Sequence, residues 1–314
     1  MEIIRGLHNL QPEHRGNVVT IGNFDGVHLG HQAIIEQLKK QAKKFNVPAT
    51  LMTFQPNPQD FFAGDAAPNK LSRFHDKMQL LKRYGVDRVI CIPFNQTLAE
   101  LTAEDFINKI LIQGLHAKHL VIGDDFQFGK NRQGDFHLLQ ASGKKHGFDV
   151  ENTPTFLLDN ERVSSTRIRQ ALAEGNLEKT QKLLGRPYHI SGKVGHGDKR
   201  GRTIGFPTAN IRLKQQIAPT NGVYAVKITG LNDLHSNTQY GVANLGVRPT
   251  VDGSLYLLEI HLFDFNQDIY GKRINVHFED YIRPEQKFNG LDALVAQIKQ
   301  DTETAKTFFN LTIA

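Results

Sequence analysis

Gly22-Asn23-Phe24-Asp25-Gly26-Val27-His28-Leu29-Gly30-His31 sets two histidines around a glycine. An apolar run, Val18-Val19-Thr20-Ile21, precedes them, and a helical pattern with apolar residues at Ile34, Ile35, Leu38, Ala42 and Phe45 follows. That recurrence marks one buried helical face. The histidines therefore lie at a helix N-terminus, where unpaired backbone N–H groups and the positive end of the helix dipole attract an anion. Gly26 and Gly30 let a phosphate approach the backbone with no Cβ in the way, and the imidazoles of His28 and His31 add donors for its oxygens. Taken alone, H-x-G-H also fits two surface histidines; the strand, turn and helix around it favour a phosphate site.

Up to about residue 155, short apolar strands alternate with helical patterns, at residues 49–54, 77–84, 89–92, 104–112 and 120–123. The alternation predicts an α/β domain with a doubly wound parallel sheet, whose ligands bind beyond the carboxyl ends of its strands. Three such ends carry His28, Thr53-Phe54-Gln55-Pro56-Asn57-Pro58 and Gly123-Asp124-Asp125-Phe126. Thr102 followed by Asp105 reads as a helix cap. Val163-Ser164-Ser165-Thr166-Arg167-Ile168-Arg169 sets three hydroxyls at the start of a helix running to Ala173, with two arginines in its first turns. It is either a second anion-binding helix start or an ordinary cap with solvated arginines.

From about Gly185 the pattern changes to short β-rich runs separated by Gly, Pro and Asn, at residues 190–194, 223–228, 240–244, 255–263 and 274–278. These predict a second domain, a small β-barrel. Leu294, Ile298 and later apolar positions within residues 291–309 predict a terminal helix packed on it.

A chain of 314 residues has ample length for two cores. Its one cysteine, Cys91, excludes an internal disulfide; lying in an apolar run, it reads as buried, and a reducing cytoplasm is expected. No apolar run approaches the roughly 20 residues of a membrane helix, so a soluble, unexported protein is expected. The net charge of +6 and pI near 9.2 favour anionic partners. The basic residues are spread along the chain, so nucleotides satisfy that charge as well as nucleic acid does.

Together the H-x-G-H and S-S-T-x-x-R segments resemble the nucleotidyltransferase superfamily. Residues 22–31, 53–58, 123–129 and 163–169 resemble the FMN adenylyltransferase module of bacterial FAD synthetases, over most of residues 1–185. The resemblance implies a Rossmann-like fold in which Gly22, Asn23, Phe24, Asp25, Gly26, His28, His31, Ser164, Ser165, Thr166 and Arg169 hold the ATP phosphates. An FMN phosphate oxygen would then attack the α-phosphorus, with magnesium present, pyrophosphate leaving and no covalent enzyme intermediate. It also puts Asp125, Phe126 and Phe128 beside the flavin, with Asp125 standing where some members carry Asn. Alternating aromatics fit a packed core equally well.

In the second half, Gly192-Lys193-Val194-Gly195-His196-Gly197-Asp198-Lys199-Arg200-Gly201-Arg202 is a glycine-rich basic loop, able to wrap phosphates with backbone N–H groups or to serve as a surface turn. It is not a P-loop, since G-x-x-x-x-G-K-[ST] is absent. The following Gly205-Phe206-Pro207-Thr208-Ala209-Asn210 is more specific. With Gly222-Val223-Tyr224-Ala225, Asn244-Leu245-Gly246-Val247-Arg248-Pro249-Thr250 and Glu259-Ile260-His261, it resembles riboflavin kinase over nearly all of residues 186–290. That resemblance implies Gly195, Gly197, Gly201 and Arg202 at ATP, and Thr208 and Asn210 holding magnesium with the ATP phosphates. It implies Glu259 as the base at the riboflavin 5′-hydroxyl, and Arg283 and Phe288 in a segment closing over the flavin. From the residues alone, Thr208 and Asn210 also fit a turn after Pro207, residues 283–288 fit a plain loop before the last helix, and Asp264, Asp268 and Glu279 compete with Glu259.

Overall, residues 1–185 are expected to adenylylate FMN to FAD, and residues 186–314 to phosphorylate riboflavin to FMN. Each step would use ATP and Mg2+, with small-molecule partners and neither nucleic acid nor membrane. Two other readings stay open. One is an adenylyltransferase for another phosphorylated metabolite. The other is a nucleic-acid-binding protein whose basic barrel tracks a phosphate backbone; it would need aromatic platforms, and the chain has no tryptophan.

Overall fold

Six parallel strands organise the first part of the chain, in the order β1 (Glu2–Arg5), β4 (Arg88–Pro93), β3 (Ala49–Gln55), β2 (Asn17–Ile21), β5 (Ala117–Gly123) and β6 (Asp149–Thr153). The computed structural model describes residues 1–196, 201, 204–213, 219–231, 238–250 and 253–311. Contacts divide it into two units, Met1–Pro68 with Arg73–Ser165, and Asn69–Ser72 with Thr166–Ala314.

In the first unit the strands read as continuous apolar runs because both sheet faces are covered. Val19, Ile21 and Met52 pack with Phe106, Ile110 and Leu111. Leu51 and Val89 pack instead with Ile35 of α1 (Leu29–Phe45), while a short α2 (Pro58–Ala63) is followed by α3 (Phe74–Arg83), which adds Met78 and Leu81 to the same cluster. The chain winds outward from β2 to β3 and β4, then returns to β5 and β6, so the topological switch lies between β2 and β5. Ligand crevices form outside the carboxyl ends at such a switch. After α4 (Gln96–Ala99), the helix expected at 104–112 opens as α5 (Ala103–Asp105), capped by the Thr102 hydroxyl, which accepts the Asp105 N–H at 3.1 Å. It continues as a π-helix over Phe106–Gly114, a widening that apolar periodicity does not reveal. Helix α6 (Phe136–His146) and a two-stranded hairpin, β7 (Leu157–Leu158) with β8 (Glu161–Arg162), complete the unit.

Helices α7 (Ser165–Ala173) and α8 (Leu177–Leu184) lead into six antiparallel strands: β9 (Tyr188–Lys193), β10 (Ala209–Leu213), β11 (Gly222–Thr229), β12 (Gln239–Thr250), β13 (Gly253–Leu262) and β14 (Arg273–Arg283). Most of α7 and all of α8 cluster with these strands. α8 packs on β9 and β14, and the Leu172 carbonyl accepts the Thr220 N–H at 3.0 Å.

The sheet order β10-β13-β12-β11-β14-β9 nearly closes into a barrel. At the seam Gly195 bridges Asn210, and a Cβ on Gly192 would fall 2.1 Å from Ile211 Cγ2, so only a glycine lets the two edges meet. β10 occupies a stretch read from sequence as a motif, not a strand, and β12 and β14 outrun the expected 240–244 and 274–278. Tyr224, fully buried, packs edge-on against Phe278 and donates its hydroxyl to the Thr220 carbonyl; burial holds its phenol well above the usual range. The terminal helix α9 (Leu291–Phe308) buries Ala305 against Val223, Ala225 and Val242. It is tied to the end of β14 by a bidentate pair, Arg283 Nε and Nη2 donating to the Asp301 carboxylate at 2.8 and 2.7 Å.

Asp301 is buried, so Asp301→Ala strands the Arg283 guanidinium and should destabilise the barrel unit by about 3–5 kcal/mol. The expected reading is a lower urea midpoint for that unit's transition, with Asp301→Asn losing less.

Candidate active sites

The first site begins at the turn after β2. Phe24, Gly26 and Val27 all have positive φ, of 50°, 77° and 43°. For glycine this is free, but for Phe24 and the β-branched Val27 it stores strain of about 1–3 kcal/mol each, held in place because both side chains are buried in the core. The turn delivers His28 as the N-cap of α1, its Nδ1 accepting the His31 N–H at 3.3 Å. A neutral His28 then carries its proton on Nε2. The two imidazoles stack with centroids 3.6 Å apart, and the Phe24 ring lies 4.7 Å from that of His31.

A Cβ on Gly30 would lie 3.3 Å from the His28 ring and 3.5 Å from the Val163 carbonyl oxygen. The Val163-Ser164-Ser165 segment therefore runs close against the start of α1, and Ser165 Oγ donates to the Asp25 carbonyl at 3.1 Å. Two helix starts, far apart in sequence, meet here. Thr166 and Arg169 follow along α7, where Arg169 Nε donates to the Asn69 carbonyl.

Around the end of β5, Asp125 pairs with Arg162 of β8 at 2.6 Å, and Asp124 accepts the Thr155 hydroxyl. Phe128 is buried against Phe106, with ring centroids 5.1 Å apart, and so packs the core; Phe126 stacks on it from a half-buried position.

Sequence reasoning missed two features near these strand ends. Phe54, Phe61, Phe62 and Phe94 form an edge-to-face cluster beyond β3, with Phe62 70 % exposed. Lys77, only 8 % exposed, donates from Nζ to the Asn23 carbonyl at 2.9 Å and to Thr53 Oγ1 at 3.2 Å. The available signal was a lysine among Phe74, Met78 and Leu81, on the apolar face of an amphipathic helix.

The second site is a cavity of about 630 Å³ in the barrel unit, lined by Thr208, Asn210, Asn244, Glu259, His261, Arg283, Glu285 and Phe288 among others. Glu259 on β13 stands directly between Asn210 on β10 and Asn244 on β12 in the strand register. The three form a polar row across the wall. Asp264, Asp268 and Glu279 do not line the cavity. Asn210 Nδ2 donates to the Thr208 carbonyl at 3.3 Å, which shapes the Pro207–Thr208 turn. His261, two residues along from Glu259 and so on the same strand face, places Nδ1 3.0 Å from the Pro207 carbonyl. Burial pushes its pKa down, so the neutral ring donates that bond.

Asn244 Nδ2 donates to Glu285 Oε1 at 3.2 Å, and that carboxylate rests on Gly246, where a Cβ would come within 2.1 Å of it. The Arg283 guanidinium lies 5.7 Å from the Phe288 ring centroid. Gly201 abuts the Phe206 carbonyl and lines the cavity, and Gly195 lies on the barrel seam; Gly197 and Arg202 lie outside the described residues. Asn244, His261 and Glu285 were given no role from sequence, although the first two sit in motifs quoted above.

Among the described residues no group of three or more His, Cys, Asp or Glu could hold a metal ion. The oxygen donors of Thr208 and Asn210 fit magnesium, a hard cation that keeps several waters and is shared with substrate phosphates.

A family model described as FAD synthetase matches residues 10–167, and one described as riboflavin kinase matches residues 184–309. The chain is 50% identical over 313 residues to the bifunctional riboflavin kinase/FMN adenylyltransferase of Escherichia coli, covering 99% of each chain. It is 51% identical over 311 residues to the protein of the same description from Haemophilus influenzae, covering 99% of this chain and 100% of that one. A crystal structure from Streptococcus pneumoniae, described as a macrolide-efflux protein, superposes with a TM-score of 0.83 at 34% identity over 98% of this chain and 99% of that one. In this chain no helix among the described residues is long and apolar enough to cross a membrane.

His261 generates a pH prediction. Its folded-state pKa lies below the ordinary 6.5, so as pH falls through about that value the unfolded chain takes up the proton first and stability declines. The loss is complete once the folded pKa is passed. His261→Asn, which keeps an N–H donor but does not titrate, should flatten the stability curve below pH 6.5; urea unfolding on either side of that pH checks it.

Proposed function

The chain belongs to the bifunctional riboflavin kinase/FMN adenylyltransferase family, and from that premise we propose which of its residues carry each reaction. It phosphorylates riboflavin with ATP to FMN, and adenylylates FMN with a second ATP to FAD and pyrophosphate.

Adenylyl transfer is assigned to the meeting of the two helix starts, and the observation that carries it is the Ser165–Asp25 bond that joins them. The turn of residues 22–26, through its backbone N–H groups from Asn23 on, holds the ATP phosphates with His28, His31, Ser164 and Ser165, and the S-S-T-x-x-R motif assigns Thr166 and Arg169 to the same phosphates. An FMN phosphate oxygen attacks the α-phosphorus, and the bond from that phosphorus to pyrophosphate breaks. Charge grows on the departing oxygen, where a proton on His28 Nε2 stabilises it. Asp125 and Phe126 take the flavin side, with the exposed Phe62 cluster as an apolar surface for its ring. Arg162 offsets the Asp125 charge, so the carboxylate opposes FMN phosphate less than an unpaired acid would.

Phosphorylation is assigned to the barrel cavity, and the observation that carries it is the Asn210–Glu259–Asn244 row. Glu259 takes the proton from the riboflavin 5′-hydroxyl, whose oxygen attacks the γ-phosphorus as ADP leaves. Thr208 and Asn210 would hold Mg2+, which neutralises phosphate charge when bound. Gly195, Gly197, Gly201 and Arg202 are assigned to ATP by the motif they belong to, and Arg283 and Phe288 to the flavin. A cytoplasmic location, where ATP is supplied, belongs to the same proposal.

The test is a time course of FMN and FAD from riboflavin, ATP and Mg2+. Glu259→Gln should slow FMN formation by about 10²–10⁴-fold while leaving FAD formation from supplied FMN intact. His28→Ala combined with His31→Ala should do the reverse. Loss of both activities from either change overturns the assignment of separate sites.

A further inference from the structure

We infer that Lys77 is a positioning residue for adenylyl transfer, acting through the turn that presents His28. The inference rests on the reading of that turn as the ATP phosphate site.

Lys77 lies on the buried face of α3, where a leucine or methionine would pack without giving up the hydration of an ammonium. The use of the charged group therefore lies in what it donates to. Its Nζ reaches the Asn23 carbonyl and the fully buried Thr53 hydroxyl, and so ties the carboxyl end of β2 to that of β3.

Asn23 is the residue before Phe24, the first of the three positive-φ residues in the turn. In a trans peptide the carbonyl and the following N–H point in opposite directions. By holding the Asn23 carbonyl, Lys77 fixes the direction of the Phe24 N–H, one of the donors assigned to the phosphates. It also anchors the near end of a turn whose strained residues, Phe24 and Val27, would otherwise favour extended backbone. Misplacement of a catalytic group by about 1 Å can slow a reaction on the order of 10²-fold.

The experiment uses the full chain, with riboflavin phosphorylation as the internal control. Lys77→Met removes the donors at similar length and volume; Lys77→Arg keeps a cation that can donate. In adenylylation of supplied FMN, Lys77→Met should lower kcat by about 10–100-fold, with a smaller change in KM for ATP and riboflavin phosphorylation unchanged. Lys77→Arg should recover most of the loss. Adenylylation by Lys77→Met within twofold of the parent, or a loss that Lys77→Arg does not relieve, overturns the inference. If Lys77→Met does not fold, Thr53→Val decides, since it removes one of the acceptors that orient Nζ. A several-fold fall in kcat supports the inference, and an unchanged kcat overturns it. His28→Ala, run in parallel, separates the two readings. If it leaves adenylylation intact, the phosphate-site reading fails and this inference with it; if it slows adenylylation and Lys77→Met does not, only this inference fails.

Discussion

A sheet covered on both faces can display polar side chains only at the ends of its strands, and the first unit is organised by that constraint. Along the middle of β2, β3 and β4 most side chains enter one apolar cluster or another. At the amino ends the polar groups are spent on structure. Asn17 Oδ1 accepts from Thr50 Oγ1 and from Arg88 Nη1, both at 2.9 Å, and Arg88 Nε donates to Glu2, holding that carboxyl below its usual range. At the carboxyl ends they meet the His28 turn, Thr53 with Lys77, and Asp125. The barrel solves the same problem differently. One face of its wall supplies Glu259, Asn210 and Asn244 to a cavity, while Tyr224 and Phe278 fill the core elsewhere in the unit.

What could be read from residues alone followed from periodicity and punctuation. The β-α alternation gave the parallel sheet, H-x-G-H fell at a strand-to-helix turn, Thr102 capped its helix, and alternation over 255–263 put Glu259 on a strand. What could not be read depends on tertiary partners. β10 is a five-residue strand whose partner, β13, comes some 45 residues later, so nothing local marks it as a strand. The π-helix depends on which carbonyl each N–H selects, and the pattern of apolar residues is nearly the same either way. Phe126 and Phe128 showed aromatic alternation without showing that only Phe128 is buried.

The same limit hid the polar partners. Lys77 is the one lysine on its helix that turns inward, and its acceptors, Asn23 and Thr53, are 54 and 24 residues away. Asn244 and His261 acquire meaning only from register, since one stands across from Glu259 and the other reaches the Pro207 carbonyl from the next inward position. The residues assigned to substrate lie in short motifs, whereas the partners that hold those motifs in place are scattered along the chain.

The bond between Asp25 and Ser165 joins residues 140 positions apart. At a synthesis rate of roughly 5–20 residues per second, the histidine turn emerges from the ribosome on the order of ten seconds before the segment that closes its site. A nascent chain ending after β6 already has all six strands of its parallel sheet, yet it lacks Ser164 and Ser165. If the two helix starts hold ATP as proposed, nucleotide capture awaits the last residues of the unit.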